Sequence, residues 1–105
     1  MKIAYLGLGS NLGDRHANLT GAIERMASDD LRIIRTSSVW ESEPRDVTDQ
    51  PWFLNQVIEV QTSLFPRQLL QRLRRIEREM GRVRTRPKGP RLIDLDILFF
   101  GSRDH

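Results

Sequence analysis

The sequence contains no cysteine, which excludes a disulfide framework and any thiolate metal site. It has no apolar run of about 18 residues, so no segment reads as a membrane-spanning helix. The opening MKIAYLGLGSNLGD lacks the apolar core and small-residue cleavage site of a signal peptide, and a cytosolic protein is expected. Aromatic residues make up only 7% of the chain, and few of them accompany its basic residues, which counts against nucleic-acid binding. No internal repeat or low-complexity segment is present. What remains is 105 residues with 38% hydrophobic content, enough for one domain (1–105) with a single two-layer core.

Net charge is +3, but the distribution is more informative. Residues 1–65 hold 6 Lys+Arg against 9 Asp+Glu, residues 66–91 hold 10 against 2, and residues 92–105 hold 1 against 3. A basic block thus stands directly before an acidic pair. That polarity suits a polyanion held by arginines and bridged by metal, such as a nucleoside triphosphate. A solvated helix face accounts for most of Arg72, Arg74, Arg75 and Arg78.

The acidic pair lies in GPRLIDLDILFF, residues 89–100. Read as a strand, this puts Ile93, Leu95, Ile97 and Phe99 on one face and Asp94, Asp96, Leu98 and Phe100 on the other. Asp94 and Asp96 then share a face within an apolar run, where like charges repel and desolvation is costly. A cation would neutralise them, and an oxygen-only site with positions left for water and phosphate suits Mg²⁺. The bland alternative is a solvated pair on an edge strand. The apolar setting favours the metal.

Along the chain, Lys2–Leu8 reads as a buried strand closed by Gly9-Ser10-Asn11. Gly7, Gly9 and Gly13 lack the Lys-Ser/Thr of a P-loop and the spacing of a dinucleotide fingerprint, and are read as turn and close-packing glycines. Asp14 or a neighbour caps a helix running to about Ala27, with Leu19, Ala22, Ile23, Met26 and Ala27 as its apolar stripe. His16, in its first turn, reads as a solvated helix residue. Leu31–Trp40 is a second strand and Glu41–Pro51 a long polar loop, a common place for function. Phe53–Thr62 is a third strand. At its head, Phe53 and Asn55 share a face. There an aromatic plate beside an amide donor and acceptor would take a flat heterocycle, although core packing and a turn would explain the same two residues. A second helix starts at Pro66, carries Leu69, Leu70, Leu73, Ile76 and Met80 inward, and stops at Gly81. The resulting β-α-β-β-α-β order predicts an α+β, ferredoxin-like fold, a four-stranded antiparallel sheet with two helices on one face.

LGLGSNLGD, SSVWESEP, DQPWFLN, GRVR and GPRLIDLDILFFG, in that order and spanning nearly the whole chain, resemble the 6-hydroxymethyl-7,8-dihydropterin pyrophosphokinase family. The resemblance implies transfer of diphosphate from ATP to a pterin alcohol in folate biosynthesis, with two Mg²⁺. It assigns the metal to Asp94 and Asp96, the pterin to Ser42, Pro44, Phe53 and Asn55, and ATP to Glu77, Arg82, Arg84 and Arg91. Arg82, Arg91, Asp94 and Asp96 would be the catalytic set. Lys88 stands before Gly89 where many members have Trp. The family also continues past this strand with Pro-His-Pro and Arg-x-Phe segments, where this sequence reads Gly101-Ser102-Arg103-Asp104-His105. The expectation is therefore a monomer or weak self-association, with reduced turnover. Two other readings stay open: a pterin or nucleotide binder without turnover, and a ferredoxin-like RNA-binding module.

Overall fold

The computed structural model describes residues 1–45, 49–81 and 92–101. Among these residues seven elements follow one another: β1 (Lys2–Ser10), α1 (Arg15–Met26), β2 (Leu31–Thr36), β3 (Trp40–Ser42), β4 (Phe53–Thr62), α2 (Pro66–Glu79) and β5 (Asp94–Gly101). The fold is α+β, with two helices and an antiparallel sheet of five strands rather than the expected four. The difference arises within the expected strand 31–40, which breaks after Thr36. Both halves line the same side of β4, β2 along Ile58–Thr62 and β3 along Phe53–Asn55. Ser37 bridges the break. Its N–H donates to the Val57 carbonyl at 2.8 Å, and its hydroxyl accepts the Val57 N–H at 2.9 Å.

The helices begin where local chemistry allows. Asp14 caps α1, accepting the Ala17 N–H at 3.1 Å and leaving fewer orphan amides at that end. Pro66 occupies the first helical position of α2, where a missing N–H costs nothing, and the Gln68 side chain reaches back to the Phe65 N–H at 2.8 Å. Gly81, with φ of 78°, adopts the left-handed conformation that ends the helix. Leu70 is a correction. It is 39% exposed, because the buried face runs through Leu69, Leu73 and Ile76, and Leu70 sits about 100° further round the helix. Ala27 is likewise exposed, lying just past the last turn of α1.

The strand order is β2-β4-β1-β5, with β3 beside β4. Even-numbered positions of β1 and β4 face the helices. Ala4, Leu6, Leu8, Leu54, Ile58 and Val60 pack there with Leu19, Met26, Leu69, Leu73 and Ile76. Odd-numbered positions face the other way. Burial of this apolar cluster, worth roughly 1.5–3 kcal/mol per large side chain, holds β1 and β4 at the centre of the sheet.

On β5 the two-residue alternation does not last. Leu6 pairs with Ile97 but Tyr5 pairs with Phe99, so Leu98 is an extra residue in the ladder. Such a bulge reverses which side chains face the core beyond it. Phe99 therefore leaves the face of Leu95 and Ile97 and meets Tyr5, ring centroids 5.8 Å apart, on the open side. Phe100 turns inward against the core instead. The expected faces of these two phenylalanines are thus exchanged. Among the described residues, no helix is long and apolar enough to cross a membrane.

Candidate functional site

The open side of the sheet carries a cleft of about 420 Å³, formed by β1, β4, β5, β3 and the segment after β3. Its floor follows from pairing. Gly9 lies between Asn55 on β4 and Asp94 on β5, and Gly7 between Val57 and Asp96. The two glycines leave the central strand bare exactly between the two sets of polar side chains, so that a Cβ at Gly9 would meet the Phe53 ring at 3.4 Å and Asn55 Oδ1 at 3.5 Å. At Gly7 it would meet the Leu98 methyls at 3.3 Å. Gly7 and Gly9 are therefore strand residues that floor the cleft. Only Gly13, with φ of 72°, is a turn glycine of the expected kind.

One end of the cleft is aromatic and amide. Ser42, Pro44, Phe53 and Asn55 all line it, so the four residues singled out for the pterin come together. Asn55 Nδ2 donates to Ser42 Oγ at 2.8 Å and to the Trp40 carbonyl at 3.3 Å. Both amide hydrogens are thus engaged by β3, and Oδ1 turns towards Gly9. The amide presents an acceptor to the cleft rather than the expected donor–acceptor pair. Trp40, 48% exposed, adds a second aromatic wall that the sequence reading did not assign.

Residues 41 and 50–52, beside this end, are held by the end of β1 and the start of α1. Asn11 Nδ2 donates to Gln50 Oε1 at 2.7 Å and to the Pro51 carbonyl at 3.0 Å, with Asn11 and Gln50 both buried. Arg15 Nη1 reaches Glu41 Oε2 at 2.9 Å and the Trp52 carbonyl at 3.0 Å. Asn11, Arg15 and Gln50 were missed as site-building residues. The signal for them was an asparagine and an arginine flanking the first turn, facing a long Pro-bounded loop.

The other end carries the acids. Asp94 and Asp96 share a face and both line the cleft. They are not desolvated as the apolar run suggested. The Asp96 side chain is 61% exposed and Asp94 half-buried, because their face of β5 is the open one. The donor set still fits Mg²⁺. It consists of two hard carboxylates on one wall of an open cleft, with no third His, Cys, Asp or Glu grouped with them among the described residues. Mg²⁺ ordinarily takes one or two carboxylates and fills its shell with water and phosphate.

Behind the acids stands α2. Glu77 is buried and accepts the Leu95 N–H at 2.8 Å. Arg74 Nη1 donates to the Leu95 carbonyl at 2.8 Å and to Glu77 Oε2 at 3.0 Å, and Nη2 lies 3.6 Å from Asp96 Oδ1. Burial alone would lower the Arg74 pKa, but the charge and hydrogen bond of Glu77, with Asp96 and Asp94 adding, hold it above its usual value. Glu77, assigned to ATP by resemblance, does not line the cleft. It grips the backbone between the two acids. Arg82, Arg84 and Arg91 lie outside the described residues.

Residues 5–103 match the family described as 7,8-dihydro-6-hydroxymethylpterin-pyrophosphokinase. The chain is 50% identical over 99 residues to a folic acid synthesis protein of Pneumocystis carinii, covering 94% of this chain and 13% of that protein. It is 46% identical over 101 residues to a 2-amino-4-hydroxy-6-hydroxymethyldihydropteridine pyrophosphokinase of Methylorubrum extorquens, covering 95% of this chain and 64% of that one. It is 43% identical over 103 residues to the protein of the same description in Bacillus subtilis, covering 97% and 62%. The chain thus spans less than two thirds of the length of these relatives.

Proposed function

Because the chain belongs to the 7,8-dihydro-6-hydroxymethylpterin-pyrophosphokinase family, we propose that it transfers diphosphate from ATP to 6-hydroxymethyl-7,8-dihydropterin, releasing AMP, in folate biosynthesis. The observation that carries this reading is the cross-sheet row Trp40, Asn55, Gly9, Asp94. It has a heterocycle-binding end on β4 and an acidic end on β5. The two strands are separated by β1 alone, about 10 Å at the usual strand spacing. A flat ring seated on β4 would direct its hydroxymethyl arm towards the acids.

In this reading Phe53 stacks on the pterin, Asn55 Oδ1 accepts a ring N–H, and Ser42 and Pro44 border the ring. Asp94 and Asp96 would hold two Mg²⁺. Bound there, the metal would screen the triphosphate charge and make the hydroxymethyl oxygen easier to deprotonate. That oxygen attacks the β-phosphorus of ATP and the bond to the α-phosphate oxygen breaks, so AMP leaves. Arg82, Arg84 and Arg91 are proposed to meet the phosphates. Glu77 is proposed to serve the ATP side through its grip on Leu95. Among the described residues no side chain stands out as a general base, and positioning with electrostatic stabilisation carries the rate.

The ferredoxin-like arrangement is supported by the order of the two helices and the four long strands, with β3 an offshoot of the second. A cytosolic location, a monomeric or weakly self-associating state, and no nucleic-acid partner complete the proposal. Incubation with ATP, Mg²⁺ and hydroxymethyldihydropterin tests it. AMP should appear in step with pterin diphosphate, and should not appear with Asp96→Asn. Binding of both ligands without AMP would favour the reading of a binder without turnover.

A further inference from the structure

β5 is the last strand in the sheet order, so one side of its backbone has no neighbouring strand among the described residues. At Leu95 both main-chain groups are taken by side chains of α2, the N–H by Glu77 at 2.8 Å and the carbonyl by Arg74 at 2.8 Å. Glu77 and Arg74 are three apart on the helix and bonded to each other at 3.0 Å, so they act as one unit. Leu95 is the single residue between the two acids. The same guanidinium then extends Nη2 to 3.6 Å from Asp96 Oδ1, an ion-pair distance with the carboxylate still 61% exposed to the cleft.

We infer that Arg74 is a positioning residue that makes the Asp94–Asp96 pair select a metal–triphosphate complex over a free divalent cation. This deepens, and rests on, the metal reading proposed above. The physical reason is charge. A pair of carboxylates attracts any cation. One fixed guanidinium at their edge lowers the attraction for a free dication by one unit of charge and raises it, by the same unit, for a metal–ATP complex, which is an anion. Arg74 is anchored on its other side by Glu77 and by the Leu95 carbonyl, so its charge stays beside Asp96 instead of swinging into solvent. An arginine is suited to this because its fork can hold backbone and carboxylates at once, where a lysine presents a single point.

The test uses Mn²⁺ as the probe, followed by electron paramagnetic resonance, with and without ATP. In Arg74→Gln, Mn²⁺ alone should bind about fivefold more tightly and Mn²⁺–ATP about fivefold more weakly, on the order of one unit-charge interaction at about 4 Å in water. Arg74→Lys keeps the charge and should keep the parent's preference for Mn²⁺–ATP. Affinities that fall together in both variants would mean that Arg74 only holds the fold, and unchanged affinities in Arg74→Gln would mean that its charge is not felt. Either result overturns the inference while leaving the metal reading standing. A parent that binds Mn²⁺ no better than Asp94→Asn overturns the metal reading itself, and this inference with it. Should Arg74→Gln fail to fold, Arg74→Met removes the same charge and takes its place, with the same expected result and the same results overturning the inference.

Discussion

Asn11 and Gln50, 39 positions apart in the chain, share a 2.7 Å hydrogen bond in the interior. The same Asn11 amide holds the Pro51 carbonyl at 3.0 Å, so one side chain at the end of β1 fastens the segment leading into β4. Asn11→Ala should cost about 1–2 kcal/mol of stability, the usual range for breaking a buried hydrogen-bonded contact. It should also weaken pterin binding more than ATP binding. Urea denaturation and calorimetric titration of each ligand measure the two effects.

Asp96→Asn and Asp94→Asn should each abolish Mg²⁺-dependent ATP binding. Because the Asp96 carboxylate is 61% exposed, relief of repulsion is small, and stability should change by no more than about 0.5 kcal/mol. Titration with MgATP, beside a thermal melt, checks both. A variant that binds MgATP as tightly as the parent would remove the acids from the metal site.

Asn55→Ala should weaken pterin binding by about 1–3 kcal/mol, since Oδ1 is the acceptor turned to the cleft. ATP affinity should stay within twofold of the parent, roughly 0.4 kcal/mol. Equal losses for both ligands would point instead to a disturbed β3, whose Ser42 and Trp40 the same amide holds.

Gly9→Ala should fold normally, because its Cβ would meet Phe53 and Asn55 no closer than 3.4 Å. It should nevertheless weaken the pterin by about 1–3 kcal/mol, as overpacking does when an extra methyl enters a fitted space. Melting temperature and pterin affinity, taken together, separate the two effects.

Asp30 predicts a pH dependence. The Ser28 hydroxyl at 2.6 Å and Arg72 at 3.1 Å hold its carboxyl below the ordinary 3.8. A depressed folded pKa stabilises the fold above the ordinary value, and that stability is lost as pH falls through the lowered one. Asp30→Asn should therefore melt below the parent at pH 7, and the gap should close as the pH falls below the ordinary carboxylate range. A melting difference that persists in acid would assign the effect to packing.

Much of the fold was legible because it rests on local chemistry. Phe53–Thr62, the Asp14 cap and the Pro66 start each follow from periodicity or from what a helix end needs. The bulge at Leu98 was not, since Leu98-Phe99-Phe100 is apolar at every position and reads the same on either face. The role of Gly7 and Gly9 was hidden for a related reason: a glycine looks alike in a turn and on a bare floor, and only the pairing with Asn55, Asp94 and Asp96 tells them apart. The site residues on one strand, Asp94 with Asp96 and Phe53 with Asn55, could be grouped by spacing. Asn11 with Gln50, and Glu77 with Leu95, join parts of the chain that no local pattern connects.

The side-chain clasp on Leu95 has a consequence for behaviour in concentrated solution. An outermost strand normally offers its free amides and carbonyls as a template on which another chain can add a strand. At Leu95 that template is already used up, the amide by Glu77 and the carbonyl by Arg74. A foreign strand approaching there would have to displace a buried carboxylate and its guanidinium before making its first bond. The stretch of edge that carries Asp94 and Asp96 is thereby closed, at Leu95, to fibril-like stacking.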